Sequence, residues 1–160
     1  MTTSRVIGRG ITNLLQEGNE MLTGSLQVGE IANVTEIKYY DFNVTESDQQ
    51  GYQRPLARRR VNSMANSFET SVQNGTFLPI PTSIILSDRG VNYKVTKDST
   101  IDLISGKFKI IDGQHRTESF KEVVNRFEHL VNFPTNYMPI VILCIEKLDL
   151  TPEQKIDLEI

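Results

Sequence analysis

Apolar positions along the chain fall into stretches of helical spacing and stretches of alternating or continuous apolar character. Ile11, Leu14, Leu15 and Met21 predict a short amphipathic helix over residues 11–21. Residues 26–37 alternate in places (Leu26, Val28; Val34, Glu36, Lys38) and predict one or two short strands. Residues 44–53 are polar and turn-rich, which predicts a surface loop. After Pro55, the spacing of Val61, Met64, Ala65, Phe68 and Val72 predicts a helix that Asn74-Gly75 stops. Residues 77–86 read as a strand, with Pro79 and Pro81 near its beginning where missing donors cost least. Asp88-Arg89-Gly90 reads as a turn, and residues 93–95 and 100–103 as hairpin pieces.

A strand over 107–111 is then broken by Asp112-Gly113, and a helix over 114–130 presents Phe120, Val123, Val124, Phe127 and Leu130 on one face. The most apolar strand covers 139–145. Thr151-Pro152-Glu153 supplies a cap, a first-turn proline and a first-turn acid for a last helix. That helix is barely two turns old at Ile160, which predicts that the chain is a piece of a longer protein. The missing part, or another subunit in a homo-oligomer, would cover its apolar residues. The alternation of strands and helices gives an α/β class.

Length and charge bound this picture. A chain of 160 residues makes one domain and can bury a core without staples. The formal charge of -3 gives no global pull toward nucleic acid, so any such contact must come from a local patch. The single cysteine, Cys144, lies in an apolar run and reads as a buried small hydrophobe. Lacking an apolar leader at Met1 and any span-length apolar run, the sequence predicts a soluble cytoplasmic protein without membrane partners.

The candidate chemistry lies where the 107–111 strand meets the next helix. First-turn donors of Gln114, His115 and Arg116 would be unused by the helix, its dipole adds positive potential, and Gly113 lets a ligand approach the backbone. Phosphate or carboxylate suits such a site. The same residues equally suit a structural role: Asp112 as a cap, Gly113 as a turn, Arg116 as an ion-pair partner. A second cluster, Arg54, Arg58, Arg59 and Arg60, opens the preceding helix and reads either as phosphate contacts or as a solvated face. Arginines this early oppose the helix dipole, which hints at a compensating anion. Walker-type and Gly-x-Gly-x-x-Gly motifs are missing, and two histidines with one cysteine make no structural zinc set, so no metal site is assigned.

Asp112-Gly113-Gln114-His115-Arg116 is the signature of the DGQHR-domain family, which includes the DndB-like DNA sulfur-modification proteins. The wider order resembles the N-terminal domain of ParB-type partition proteins. It runs from Tyr52-Gln53-Arg54-Pro55 through Gly75-Thr76-Phe77-Leu78-Pro79-Ile80 and the Asp-Gly-Gln-His-Arg turn to Met138-Pro139-Ile140-Val141-Ile142. The resemblance implies a ParB/sulfiredoxin-like fold over residues 51–160, a small mixed sheet with flanking helices. Residues 1–50 would form an N-terminal arm or extra elements.

It further implies that Gly113, Gln114, His115 and Arg116, helped by Arg54 and Arg58, hold the phosphates of ATP, GTP or CTP, with or without Mg2+. Arg58, Arg59 and Arg60 would contact DNA. Asp112 and His115 are the candidates for catalysis in a weak NTPase. Sulfiredoxins carry their catalytic cysteine where Gln114 stands, so sulfinic-acid reduction is not expected. The function implied is a nucleotide- or DNA-phosphate-binding regulator, including a transcription regulator, of a bacterial phosphorothioation-type modification or defence locus. Its partners would be DNA and other proteins of that locus. The alternatives are a ParB-like metal-dependent nuclease and a DNA-binding module indifferent to nucleotide.

Overall fold

The computed structural model describes residues 4–38, 51, 53, 55–77 and 83–160. In chain order the elements are β1 (Arg5–Ile7), β2 (Arg9–Gln16), β3 (Asn19–Gln27), α1 (Val28–Val34), β4 (Thr35–Glu36) and α2 (Arg58–Gln73). They continue as β5 (Ile84–Ser87), β6 (Asn92–Val95), β7 (Ile101–Ser105), β8 (Phe108–Asp112), α3 (Gln114–Arg126), a 3-10 turn (Phe133–Thr135), β9 (Tyr137–Leu143) and α4 (Pro152–Glu159). Most of the loop expected over 44–53, and residues 78–82 of the strand expected over 77–86, lie outside the described residues.

A six-stranded sheet in the order β2-β3-β9-β5-β8-β4 carries the domain, and β1-β7-β6 form a second, three-stranded sheet. β5 runs parallel to β9 and β4 parallel to β8, while the other pairs are antiparallel. Alternation along these strands collects one apolar face. Leu22 and Leu86 both register with Ile142, Leu26 with Met138, Ile84 with Ile140, and Leu86 also with Ile110, all of them buried. Val28 and Ile31 of α1 and Phe120 and Val123 of α3 close over this core, joined by Ile7, Ile101 and Leu103 from the smaller sheet. This is a small mixed α/β domain with flanking helices, in keeping with the ParB/sulfiredoxin-like architecture expected from the sequence.

Two expectations are corrected. The helix over 11–21 is instead the β2–β3 hairpin, with Gln16 opposite Asn19. Glu17 and Gly18 both take positive φ, at 50° and 78°, the primed turn that matches strand twist. Only Ile11 of the supposed helical stripe reaches the core; Leu14 and Leu15 are exposed. Conversely, most of 26–37 is not strand but α1, which buries Val28, Ile31 and Val34 along one side. Thr35 Oγ1 donates to the Ile31 carbonyl at 2.7 Å as the chain leaves that helix for β4.

The element that positions the site is the pair α2 and α3, which run side by side in the same direction. Contacts rise together along both: Val61 with Ser119, Asn66 with Arg126, Gln73 with His129. A cluster of Phe68, Phe77, Phe120 and Phe133, with ring centroids 5.5 to 6.3 Å apart, locks α2 to α3 and to the 3-10 turn. Both helices therefore begin at the same end of the domain. No helix among the described residues is long and apolar enough to cross a membrane.

Candidate functional site

The two helix starts and the end of β8 enclose an open cleft of about 380 Å³. Its lining is Gln53, Arg60, Met64 and every residue from Ile111 to Arg116. The Asp-Gly-Gln-His-Arg turn is thus one wall of a concavity, and α2 supplies the other.

β8 ends at Asp112, whose Oδ1 accepts from the Gly113 N–H at 3.0 Å and fixes the turn. Gly113 has φ 96° and ψ 21°, a left-handed conformation that other residues adopt only under strain. A Cβ there would stand 3.2 Å from both the Ile84 side chain and the Arg116 guanidinium. Gly113 is the first boundary residue of α3 and has no side chain with which to cap it. The first helical bond of α3 is made by Thr117, whose N–H and hydroxyl both donate to the Gly113 carbonyl. The donors of the preceding turn therefore face out of the helix end toward the cleft.

α2 begins in the same way. Ala57 precedes it without a side-chain cap, and the Ala57 N–H donates to His115 Nε2 at 3.4 Å. That contact makes Nε2 an acceptor and leaves Nδ1 to carry the imidazole proton. Burial and the nearby Arg60 charge both push the His115 pKa below its usual value. His115 thus links the two helix starts through its ring, and its surroundings favour the neutral form.

Arg116 is half-buried and donates to the Ser83 carbonyl at 3.3 Å, which orients its guanidinium beside Gly113. Gln114 brings an unusual group: its Oε1 is buried and has no hydrogen-bond partner among the described residues. A buried acceptor without a donor costs free energy that a bound donor group would recover. Gln53 also lines the cleft and is fixed to the end of β8, its amide donating to the carbonyls of Ile110 at 3.3 Å and Ile111 at 2.9 Å.

The arginines of α2 divide. Arg60 lines the cleft, whereas Arg58 reaches sideways to Glu122 on α3 at 3.0 Å. Arg59 is exposed, and Arg54 lies outside the described residues. The sequence reading named Arg58 for both phosphate and DNA and Arg60 for DNA; of the two, Arg60 lines the cleft and Arg58 pairs with Glu122. It also passed over Gln53 and Met64, because a polar residue in a loop and an apolar residue on a helix face carry no local mark of a cleft. Glu118 pairs with Lys121 at 3.1 Å and does not line the cleft. Among the described residues, no group of three or more His, Cys, Asp and Glu side chains is gathered as a metal ion would need. Cys144 is buried in the core, as its apolar context predicted.

A family model described as DndB: DNA-sulfur modification-associated matches residues 11–156. The match takes in most of β2 together with β3, α1 and β4, which fall in the range given to an N-terminal arm or extra elements. No curated protein and no solved structure matches the chain significantly. Carrying the Asp-Gly-Gln-His-Arg turn in a cleft of a mixed α/β domain, and matched over most of its length, the chain belongs to the DndB family of DNA-sulfur modification-associated proteins.

Proposed function

We propose that the cleft binds the phosphates of a nucleoside triphosphate, and that the domain acts as a nucleotide-responsive regulatory component of a DNA sulfur-modification system. One observation carries this reading: two parallel helices begin uncapped at one cleft, with Arg60 and Arg116 beside them. Each uncapped start contributes unused N–H donors and the positive end of a helix dipole. Cationic side chains at such an end are unfavourable in an empty site and favourable once a polyanion arrives. The cleft volume of about 380 Å³ is of the size small-molecule sites occupy.

In this reading Gly113 and the backbone N–H groups of Gln114, His115 and Arg116 hold phosphate from the α3 side and Arg60 from the α2 side, while Gln114 Oε1 is left to accept from a donor elsewhere on the nucleotide. Arg58 acts through its bridge to Glu122, which holds the helices in register. Magnesium would ride on the phosphates, with Asp112 as the nearest carboxylate. A polyphosphate held at both helix starts would bridge them and so convert occupancy into a fixed α2–α3 geometry. That geometry is what DNA or a second protein of the locus would sense, and exposed Arg59 lies on the outer side of the same helix start.

The test is calorimetry with ATP, GTP and CTP, with and without magnesium, on the protein and on Arg116→Ala. Loss of one charge-assisted phosphate contact should weaken binding by about 1.5–3 kcal/mol. Equal affinity of the variant, or no binding of any nucleotide to a folded protein, overturns the assignment.

A further inference from the structure

We infer that a second basic pocket, between β8 and the start of α4, binds a phosphate-type oxyanion independently of the first cleft. It is an opening of about 320 Å³ walled by Lys38, Arg89, Gly90, Lys109, Glu146 and Lys155, with Pro152 at its rim. The charges in it are unevenly matched. Lys109 is buried, its side chain only 9% exposed, and its ammonium donates to the Lys107 carbonyl at 2.8 Å and to Glu36 Oε1 at 3.1 Å. Lys38 shares that same carboxylate oxygen at 3.6 Å. Lys155 meets a backbone carbonyl, that of Glu146, rather than a carboxylate. The Glu146 carboxylate is itself held by the Gly90 N–H at 2.7 Å. Arg89 adds no net charge, because Glu159 answers it with a two-pronged buried pair at 2.8 and 3.1 Å.

Three ammonium groups thus converge on one wall with the two carboxylates Glu36 and Glu146 among them. An ammonium has three protons, and Lys109 uses two, so a third remains for a ligand oxygen. Burial alone would raise the Glu36 pKa, but Lys109 and Lys38 outweigh it and hold the carboxyl below its ordinary range. Glu36 therefore stays charged and fixes the lysines in place instead of being displaced. An oxyanion with several acceptor oxygens is what would complete the set, and a buried ammonium makes it a stronger contact than a surface lysine would. Lys109 lines this pocket and Ile111 the first cleft, so both lie along one strand, β8.

The experiment uses Arg116→Ala protein, in which the first cleft is weakened, titrated with inorganic phosphate and followed by phosphorus NMR line width. Phosphate should still bind, and adding Lys38→Gln with Lys155→Gln should weaken that binding by about tenfold or more. Both lysines are partly exposed, so an unchanged urea midpoint should accompany the loss. Absence of phosphate binding to Arg116→Ala, or indifference to the two lysine changes, overturns the inference. A short DNA duplex separates the sources of phosphate. If the pocket takes a nucleic-acid backbone, the lysine changes lower the salt slope of DNA binding by about 1; if it takes a free anion, that slope stays as it was. Nucleotide binding lost with Arg116 while phosphate binding persists leaves the two sites separate.

Discussion

At α4 the chain closes its own helix start, whereas at α2 and α3 it leaves the start open. Thr151 Oγ1 accepts from the Gln154 N–H at 3.2 Å, and Gln154 Oε1 accepts from the Thr151 N–H at 3.0 Å, so two orphan donors are satisfied reciprocally. Ala57 and Gly113 offer nothing comparable. The chemistry needed for a side-chain cap is present in this sequence and is used at α4, whereas the core helix α1, like α2 and α3, has none. Where α2 and α3 meet the cleft, the cap is withheld and arginines are added. A helix end that costs stability when empty is the arrangement expected of a place where an anion completes the structure.

The harshest way to break the comparison is to put a side chain on Gly113. Gly113→Ala must hold φ near 96° and fit a Cβ 3.2 Å from the Ile84 side chain and the Arg116 guanidinium. A destabilisation of about 1–3 kcal/mol is expected from backbone strain, read as a lower urea midpoint. Nucleotide binding should fall with it, because the guanidinium is displaced. Unchanged stability would mean that the turn relaxes and that glycine is there for no conformational reason.

The matching change at the closed start is Thr151→Ala. Removing that cap should cost about 1 kcal/mol, seen in the same urea titration, and should leave nucleotide affinity unaltered. If Thr151→Ala weakens nucleotide binding, α4 is coupled to the first cleft and the division between a closed and an open helix start fails.

Much of this contrast was legible in the sequence, and the reasons are local. Thr-Pro-Glu before an apolar run names a capped helix start, whereas Asp-Gly between a β-branched strand and an amphipathic helix marks the start but fits both an Asp112 cap and an open turn; the structure puts the boundary at Gly113. The same locality explains α2, which ends at Gln73 with Asn74-Gly75 following, and the β6–β7 hairpin. The N-terminal quarter failed for the converse reason. Ile11, Leu14 and Leu15 mimic a helical face, and only the positive φ of Glu17 and Gly18 and the pairing of β3 with β9 make the segment a hairpin. Val28, Ile31 and Val34 are β-branched and favour strands intrinsically, yet packing against α3 and the 3-10 turn makes them a helix. At the site, the turn itself could be read, but its far wall could not. Gln53 is distant in sequence and reaches the end of β8 only through tertiary structure, and which arginine of α2 faces the cleft depends on how that helix is rotated.

The finest test of an open start concerns the proton on His115. Burial and Arg60 lower its pKa in the folded protein, so the folded state binds fewer protons than the unfolded state around the ordinary histidine value of 6.5. Its contribution to stability is present above that value and is lost as pH falls through the lowered folded value. Phosphate arriving beside the ring favours the imidazolium, which reverses the shift and makes binding take up a proton. Nucleotide affinity should therefore rise by about two- to tenfold from about pH 8 to about pH 6, beyond whatever the ligand's own titration supplies. His115→Gln keeps an acceptor for the Ala57 N–H but cannot titrate, so it should flatten that excess while leaving affinity near pH 8 almost unchanged. Calorimetry in buffers of different ionisation enthalpy reads the proton directly. A wild-type pH dependence identical to that of His115→Gln would place His115 outside the anion's reach and leave it only as the link between the two helices.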